Sequence, residues 1–231
     1  MKSETNIQFL LKFVSKREHA EDLCRGTLFM HSSQYYHHLE NIGQGDMAEA
    51  SLFSGVCMYR GADFPIYCMF SVSSADINSN CIEIPERIIE DFSCSNGFVV
   101  VINYSDFINK LSLIDTNGYS LIGDQVQYGT PTFELSTQWL CSNSCEHLFV
   151  KRPWFSYQRE FRIVVTEPLP PRIVPKYHDG ILMNFAYYDT YRTYHIPNGI
   201  QDISDICTIN TLSRKGSSRY IDLTHCSHSW H

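Results

Sequence analysis

Two residues in the stretch KRPWFSYQREFRIVV, Gln158 and Glu160, are spaced so that both can act on one ligand. If Gln158 to Val165 is extended, side chains alternate: Gln158, Glu160, Arg162 and Val164 share one face, and Phe161, Ile163 and Val165 share the other. In a helix, residues two apart point to nearly opposite sides. The β-branched run Ile163-Val164-Val165 favours the strand. An amide beside a carboxylate can hold a hydroxyl and stabilise positive charge that develops next to it. Glu160 also stands between Arg159 and Arg162, and that spacing fits a surface ion pair equally well.

The other chemical constellations are poorer. Asp46 and Glu49 in GQGDMAE offer two carboxylates, which with Glu160 could surround a divalent ion in a nuclease-type toxin, but no histidine stands near them. Cys141, Cys145 and His147, and separately His225, Cys226, His228 and His231, have loose zinc-like spacing without four matched ligands, so no metal is expected. There is no G-x-S-x-G elbow for a serine nucleophile. GQGDMAE lacks the Lys and the following helix that a phosphate-cradling loop requires.

The elements that must position Gln158 and Glu160 are short and alternate in type. Ile7 to Val14 reads as a strand, Ser15 and Glu18 as the capping box of a helix ending near Cys24, and Gly26 as its left-handed stop. A strand follows from Thr27, and Ser32 or Ser33 can cap a second short helix carrying Tyr35, Tyr36 and Leu39. Residues 50–59 and 65–73 read as strands, Pro85 opens a helix, and the apolar run Phe98 to Ile102 has the pattern of a central strand buried on both faces. Ser105 caps a helix, Asp106 to Leu113, whose Phe107, Ile108, Leu111 and Leu113 form one stripe. Tyr119 to Tyr128 is another strand, and 129–147 is irregular. The prolines of EPLPPRIVP mark the one boundary, between a core of residues 1–166 and a C-terminal extension, 167–231, packed on the same domain. The expected class is α+β, with a mixed, mostly antiparallel sheet and short helices.

The Gln158-x-Glu160 pair, together with the earlier serine strand Phe70-Ser71-Val72-Ser73, resembles the signature of ADP-ribosyltransferases. Residues from about 10 to 166, including GQGDMAE, the CMFS strand and YQREFRIVV, also look like a family of uncharacterised bacterial and phage proteins. The first resemblance implies an ADP-ribosyltransferase-like fold and NAD as substrate. Glu160 would then stabilise the ribosyl cation, Gln158 would orient the acceptor, and Ser71 would support Glu160 or the ribose. Tyr35, Tyr36 or Tyr128 would stack on nicotinamide, and Arg25, Lys151 or Arg152 would meet the pyrophosphate. The first strand offers only Lys12 where some transferases carry Arg, and elsewhere in the early chain His19 or His31 would have to serve where others carry an early His. The implied setting is bacterial conflict, as a toxin or in phage defence. The rival is a binding or inhibitory module on the same scaffold without turnover.

Composition narrows the partners. Hydrophobic residues make up 43% and charged residues 19%, globular values that predict folding throughout. A net charge of −7 gives no general attraction to nucleic acid or anionic lipid, so a macromolecular acceptor is expected to be protein rather than nucleic acid. The N-terminal apolar run is too short for a signal or a membrane span, so the chain is expected in the cytoplasm, away from membranes. Nine cysteines without framework spacing read as reduced thiols.

Overall fold

The computed structural model describes residues 6–32, 35–36, 64–92, 96–112, 120–130, 145–166, 172–178, 181–187, 193–196 and 200–224. In chain order the first half contains β1 (Ile7–Val14), α1 (Arg17–Cys24), β2 (Leu28–Ser32), β3 (Pro65–Ser73), β4 (Ile77–Asn78), β5 (Cys81–Ile84), α2 (Glu86–Asp91), β6 (Phe98–Asn103) and α3 (Tyr104–Ser112). Then come β7 (Leu121–Gln125), β8 (Gln127–Tyr128), β9 (Val150–Lys151), a 3-10 segment (Pro153–Gln158) and β10 (Glu160–Val165). The remainder supplies β11 (Arg172–His178), β12 (Ile181–Tyr187), β13 (Thr193–Ile196), β14 (Cys207–Thr211), β15 (Ser213–Lys215) and β16 (Ser218–Asp222).

Eight of these strands form the main sheet, ordered β13-β2-β3-β1-β6-β14, with β10 and then β7 attached through β3. Every pairing in it is antiparallel. The parallel pair among the described residues is β8 with β9. The class is therefore α+β with mixed, mostly antiparallel pairing. Chain from beyond the proline-rich turn adds an edge strand, β13, at one end and another, β14, at the other.

The apolar run of β6 is central for the reason its composition suggests. Val99, Val100, Val101 and Ile102 are all fully buried because both faces of the sheet are covered. On one face Leu10, Val100 and Ile102 pack with Ala20 and Leu23 of α1 and Phe107 of α3. On the other, Leu11, Val99 and Val101 pack with Ile82 and Ile84 of β5, Ile88 and Ile89 of α2, and Ile221 of β16. Neighbouring residues of one strand feed opposite layers, as a period of two requires. Each such side chain contributes about 1.5–3 kcal/mol by leaving water.

Several local expectations are met and others are corrected: Ser105 lies inside α3, and Asn103 caps it instead, its Oδ1 accepting the Asp106 N–H at 3.1 Å. Gly26 ends α1 at φ +85, where a Cβ would lie 1.7 Å from the Gln201 carbonyl oxygen. The Tyr35 N–H donates to the Ser32 hydroxyl at 3.1 Å, the cap expected there. The Ser15 and Glu18 capping box does not form: α1 is preceded by Lys16 in extended conformation, with no side-chain cap. Such a box forms instead at Ser73, whose N–H and hydroxyl both donate to Asp76. A further correction concerns residues 158–165: Gln158 ends a 3-10 segment, and the strand begins at Glu160. The expected strand at 50–59 and the loop around Asp46 and Glu49 lie outside the described residues, as does Cys141.

Candidate functional site

The site is built at the point where the chain turns into β10. Pro153 starts the 3-10 segment, whose last residue is Gln158, and Arg159 adopts the left-handed conformation at φ 40 and ψ 51. For a non-glycine residue that conformation costs on the order of 1–3 kcal/mol, so neighbours must hold it. They do. The Arg159 carbonyl accepts the Ser71 N–H at 2.9 Å and the Ser71 hydroxyl at 2.7 Å. The Arg159 guanidinium pairs with Asp76 at 2.6 Å and lies over the Phe70 ring.

This corner brings Gln158 and Glu160 together without an extended strand through both. Lys151, from the adjoining β9, donates its ammonium to Gln158 Oε1 at 2.7 Å and to Glu160 Oε1 at 2.6 Å. Arg162 reaches the second carboxylate oxygen, Oε2, with Nε and Nη2, each at 2.8 Å. Its Nη1 donates to the Leu148 carbonyl at 2.5 Å. The Glu160 N–H donates to the Tyr128 phenol at 2.7 Å. All four polar side chains are interior, with Glu160 6% and Arg162 1% exposed. The ion pair is thus buried rather than on the surface, and Arg159 is not part of it.

Burial alone would push the Glu160 carboxyl up, but the Arg162 and Lys151 cations outweigh it and hold the group at about 2. Burial pushes the neighbouring Cys68 thiol up to about 12, the Glu160 charge adding to the effect. Gln158, Glu160, Lys151 and Arg162 line one cavity of about 80 Å³, together with Lys12 of β1 and Cys68 of β3. Its remaining wall is largely apolar, including Phe70, Ile88 and Phe92. Such a hollow is large enough for a few water-sized groups or one small polar group.

The other candidates fall in different places. Ser71 is buried but is not in the cavity wall; it secures the backbone corner before Glu160. Tyr128 braces the start of β10 through its phenol. Tyr36 lines the hollow, whereas Tyr35 stacks on His31 at 3.9 Å between ring centres. Arg25 is exposed at the end of α1, paired with Asp22 at 2.6 Å, and is not brought to the site. Arg152 lies over the Trp154 ring. His19 is exposed on α1, and burial lowers His31 to about 4. Among the described residues no group of three metal-ligating side chains occurs, and no helix is long and apolar enough to cross a membrane. The described cysteines, Cys24, Cys68, Cys81, Cys145 and Cys207, are free thiols.

Sequence reasoning undervalued Lys12. Its position on an expected strand beside apolar residues was the available signal, since a lysine on a covered strand must find a buried acceptor. It finds the Cys68 carbonyl at 2.7 Å and lies 4.0 Å from the Tyr67 ring centre. Comparison with family models, curated proteins and solved structures finds no match to this chain.

Proposed function

We propose that the chain binds NAD at this hollow and breaks the nicotinamide–ribose bond, passing ADP-ribose to a protein acceptor or to water. The observation that carries the proposal is that Gln158 and Glu160 share one buried hollow and one ammonium. As the bond breaks, its electron pair leaves with nicotinamide and positive charge grows on the ribose, as in glycoside hydrolysis. A carboxylate held near 2 is ionised at all physiological pH values and can face that charge. Lys151 bonds both partners at nearly equal distance, so transferring it wholly to Gln158 leaves Glu160 Oε1 for a ribose hydroxyl. In this reading the fold is ADP-ribosyltransferase-like, and the setting is bacterial or phage conflict.

The test is release of free nicotinamide from NAD by the purified chain. Wild type is expected to release it, and Glu160→Gln, checked for folding by circular dichroism, to be slower by about 10²–10³-fold. Gln158→Ala is expected to keep release to water while losing transfer to protein. No release by wild type, or equal release by folded Glu160→Gln, discards the proposal.

One observation favours a second reading, a binding module without turnover. Both oxygens of Glu160 are already engaged by cations, an arrangement that also suits a purely structural ion cluster. Saturable NAD binding with no nicotinamide formed selects this alternative.

A further inference from the structure

The hollow lies where the main sheet divides. On one edge of β3, β1 pairs with residues 70–73 and β2 with 65–66, while β10 runs along the opposite edge from 66 to 70. Residues 67–69 therefore face a gap between β1 and β2, where no strand register covers them. Lys12, the residue after Leu11, reaches into this gap. Its Nζ donates to the Cys68 carbonyl at 2.7 Å and sits 4.0 Å from the centre of the Tyr67 ring. These close partners are a neutral oxygen and an aromatic face, and among the described residues Lys12 joins no salt bridge. It is only partly buried, and it lines the hollow together with Leu11, Phe13, Met69 and Phe70.

This setting suits an amine as well as an ammonium. The Cys68 carbonyl takes one N–H, which either form supplies, and the neutral amine keeps a lone pair besides. Burial lowers the Lys12 ammonium from its ordinary value, and the Cys68 thiol and the Glu160 carboxylate oppose this only in part. Lys151, in the same wall, is placed differently: it gives N–H groups to the Gln158 amide oxygen and to the Glu160 carboxylate.

We propose that Lys12 is a covalent capture site for a short, unbranched aldehyde, which its amine binds as an imine in the hollow. The Nζ lone pair forms a bond to the carbonyl carbon, and the carbonyl oxygen leaves as water with both amine hydrogens. The balance needs no oxidant, reductant or metal. On taking a proton from water the imine regains one N–H, so the bond to the Cys68 carbonyl persists in the product, and the Glu160 charge favours that cation. The substrate class follows from the space. A volume of about 80 Å³ admits only a small molecule, and the largely apolar wall favours a hydrocarbon tail over a charged one. The inference uses the hollow assigned to NAD above but stands without that assignment, since imine formation requires neither NAD nor its cleavage.

Reductive trapping tests it. The full chain is incubated at pH 7 with propanal and sodium cyanoborohydride, whose hydride adds to the imine carbon and leaves a stable secondary amine, and the labelled lysines are located by peptide mapping. Lys12 is expected to be labelled at least tenfold faster than Lys16, an exposed lysine four residues on. In urea the two are expected to react at equal rates, because the fold creates the difference. Lys12→Arg, checked for folding by circular dichroism, keeps a donor for the Cys68 carbonyl and is expected to lose the fast site while Lys16 reacts as before. With benzaldehyde, too broad for the hollow, the ratio of Lys12 to Lys16 labelling is expected to fall at least tenfold, and an unchanged ratio overturns the short-aldehyde assignment. Labelling of Lys12 no faster than Lys16 in the folded chain, or a preference for Lys12 that survives urea, overturns the inference. Nicotinamide release is a separate readout: release with slow labelling overturns this inference alone, and fast labelling without release supports it while the NAD proposal fails.

Discussion

Replacing Glu160 by Gln keeps the volume and one acceptor of the side chain but removes the charge that Lys151 and Arg162 share. The expected cost follows from the protonation equilibrium. A carboxyl held near 2 in the fold, against an ordinary value of 4.5 in the unfolded chain, contributes about 3 kcal/mol at neutral pH. Breaking a buried pair by deleting one partner typically costs about 3–5 kcal/mol, so two independent routes agree. Because the folded value is the depressed one, the contribution is complete above about pH 4.5 and is lost as pH falls through 2. Urea unfolding followed by circular dichroism should therefore separate wild type from Glu160→Gln by about 3 kcal/mol at pH 7. At pH 3, where the carboxyl is almost wholly protonated in the unfolded chain and still mostly ionised in the fold, the gap should shrink to about 1.5 kcal/mol. A difference below about 1 kcal/mol at pH 7, or one that does not change between the two pH values, refutes the idea that these cations hold the carboxylate ionised.

Three other perturbations probe the frame. Gly26→Ala places a Cβ on the Gln201 carbonyl at a positive φ, so a loss above about 2 kcal/mol is expected in thermal unfolding, and a neutral result would mean that the α1 end can rearrange. Ser71→Ala removes the hydroxyl bond to the Arg159 carbonyl but leaves the N–H bond, and should cost about 1 kcal/mol while the chain stays folded. Cys24 and Cys207 lie with their sulfurs 3.1 Å apart, joining α1 to β14. A diazene oxidant, taking up two hydrogens, is expected to link them, which peptide mapping detects; a linkage-free map with both thiols intact would contradict their proximity.

The secondary structure was largely legible because it rests on local rules. The strands Ile7–Val14 and Pro65–Ser73 have the bounds that their apolar patterns predict, and Pro85, Gly26 and Ser32 act at the positions their chemistry favours. Ser15-x-x-Glu18 and Ser73-x-x-Asp76 are similar local signals, and geometry at the element's start selects the second as the capping box. Similarly, Gln158 was read as part of a strand, since nothing local announces that Arg159 will be left-handed. The bonds that hold it come from Ser71, 88 positions away, and from Asp76.

The candidate site divides in the same manner. From the sequence alone come the candidacy of Gln158 and Glu160, the central place of β6, the α+β class and the net charge, all set by residue type and local pattern. Tertiary structure alone decided that Glu160 is interior, that Lys151 and Arg162 rather than Arg159 neutralise it, and that Lys12 reaches the same hollow from β1. The reason is physical: a charge's partners are fixed by which strands lie side by side, and β1, β3, β9 and β10 are brought together by burial of apolar surface that carries no record of the ions it encloses.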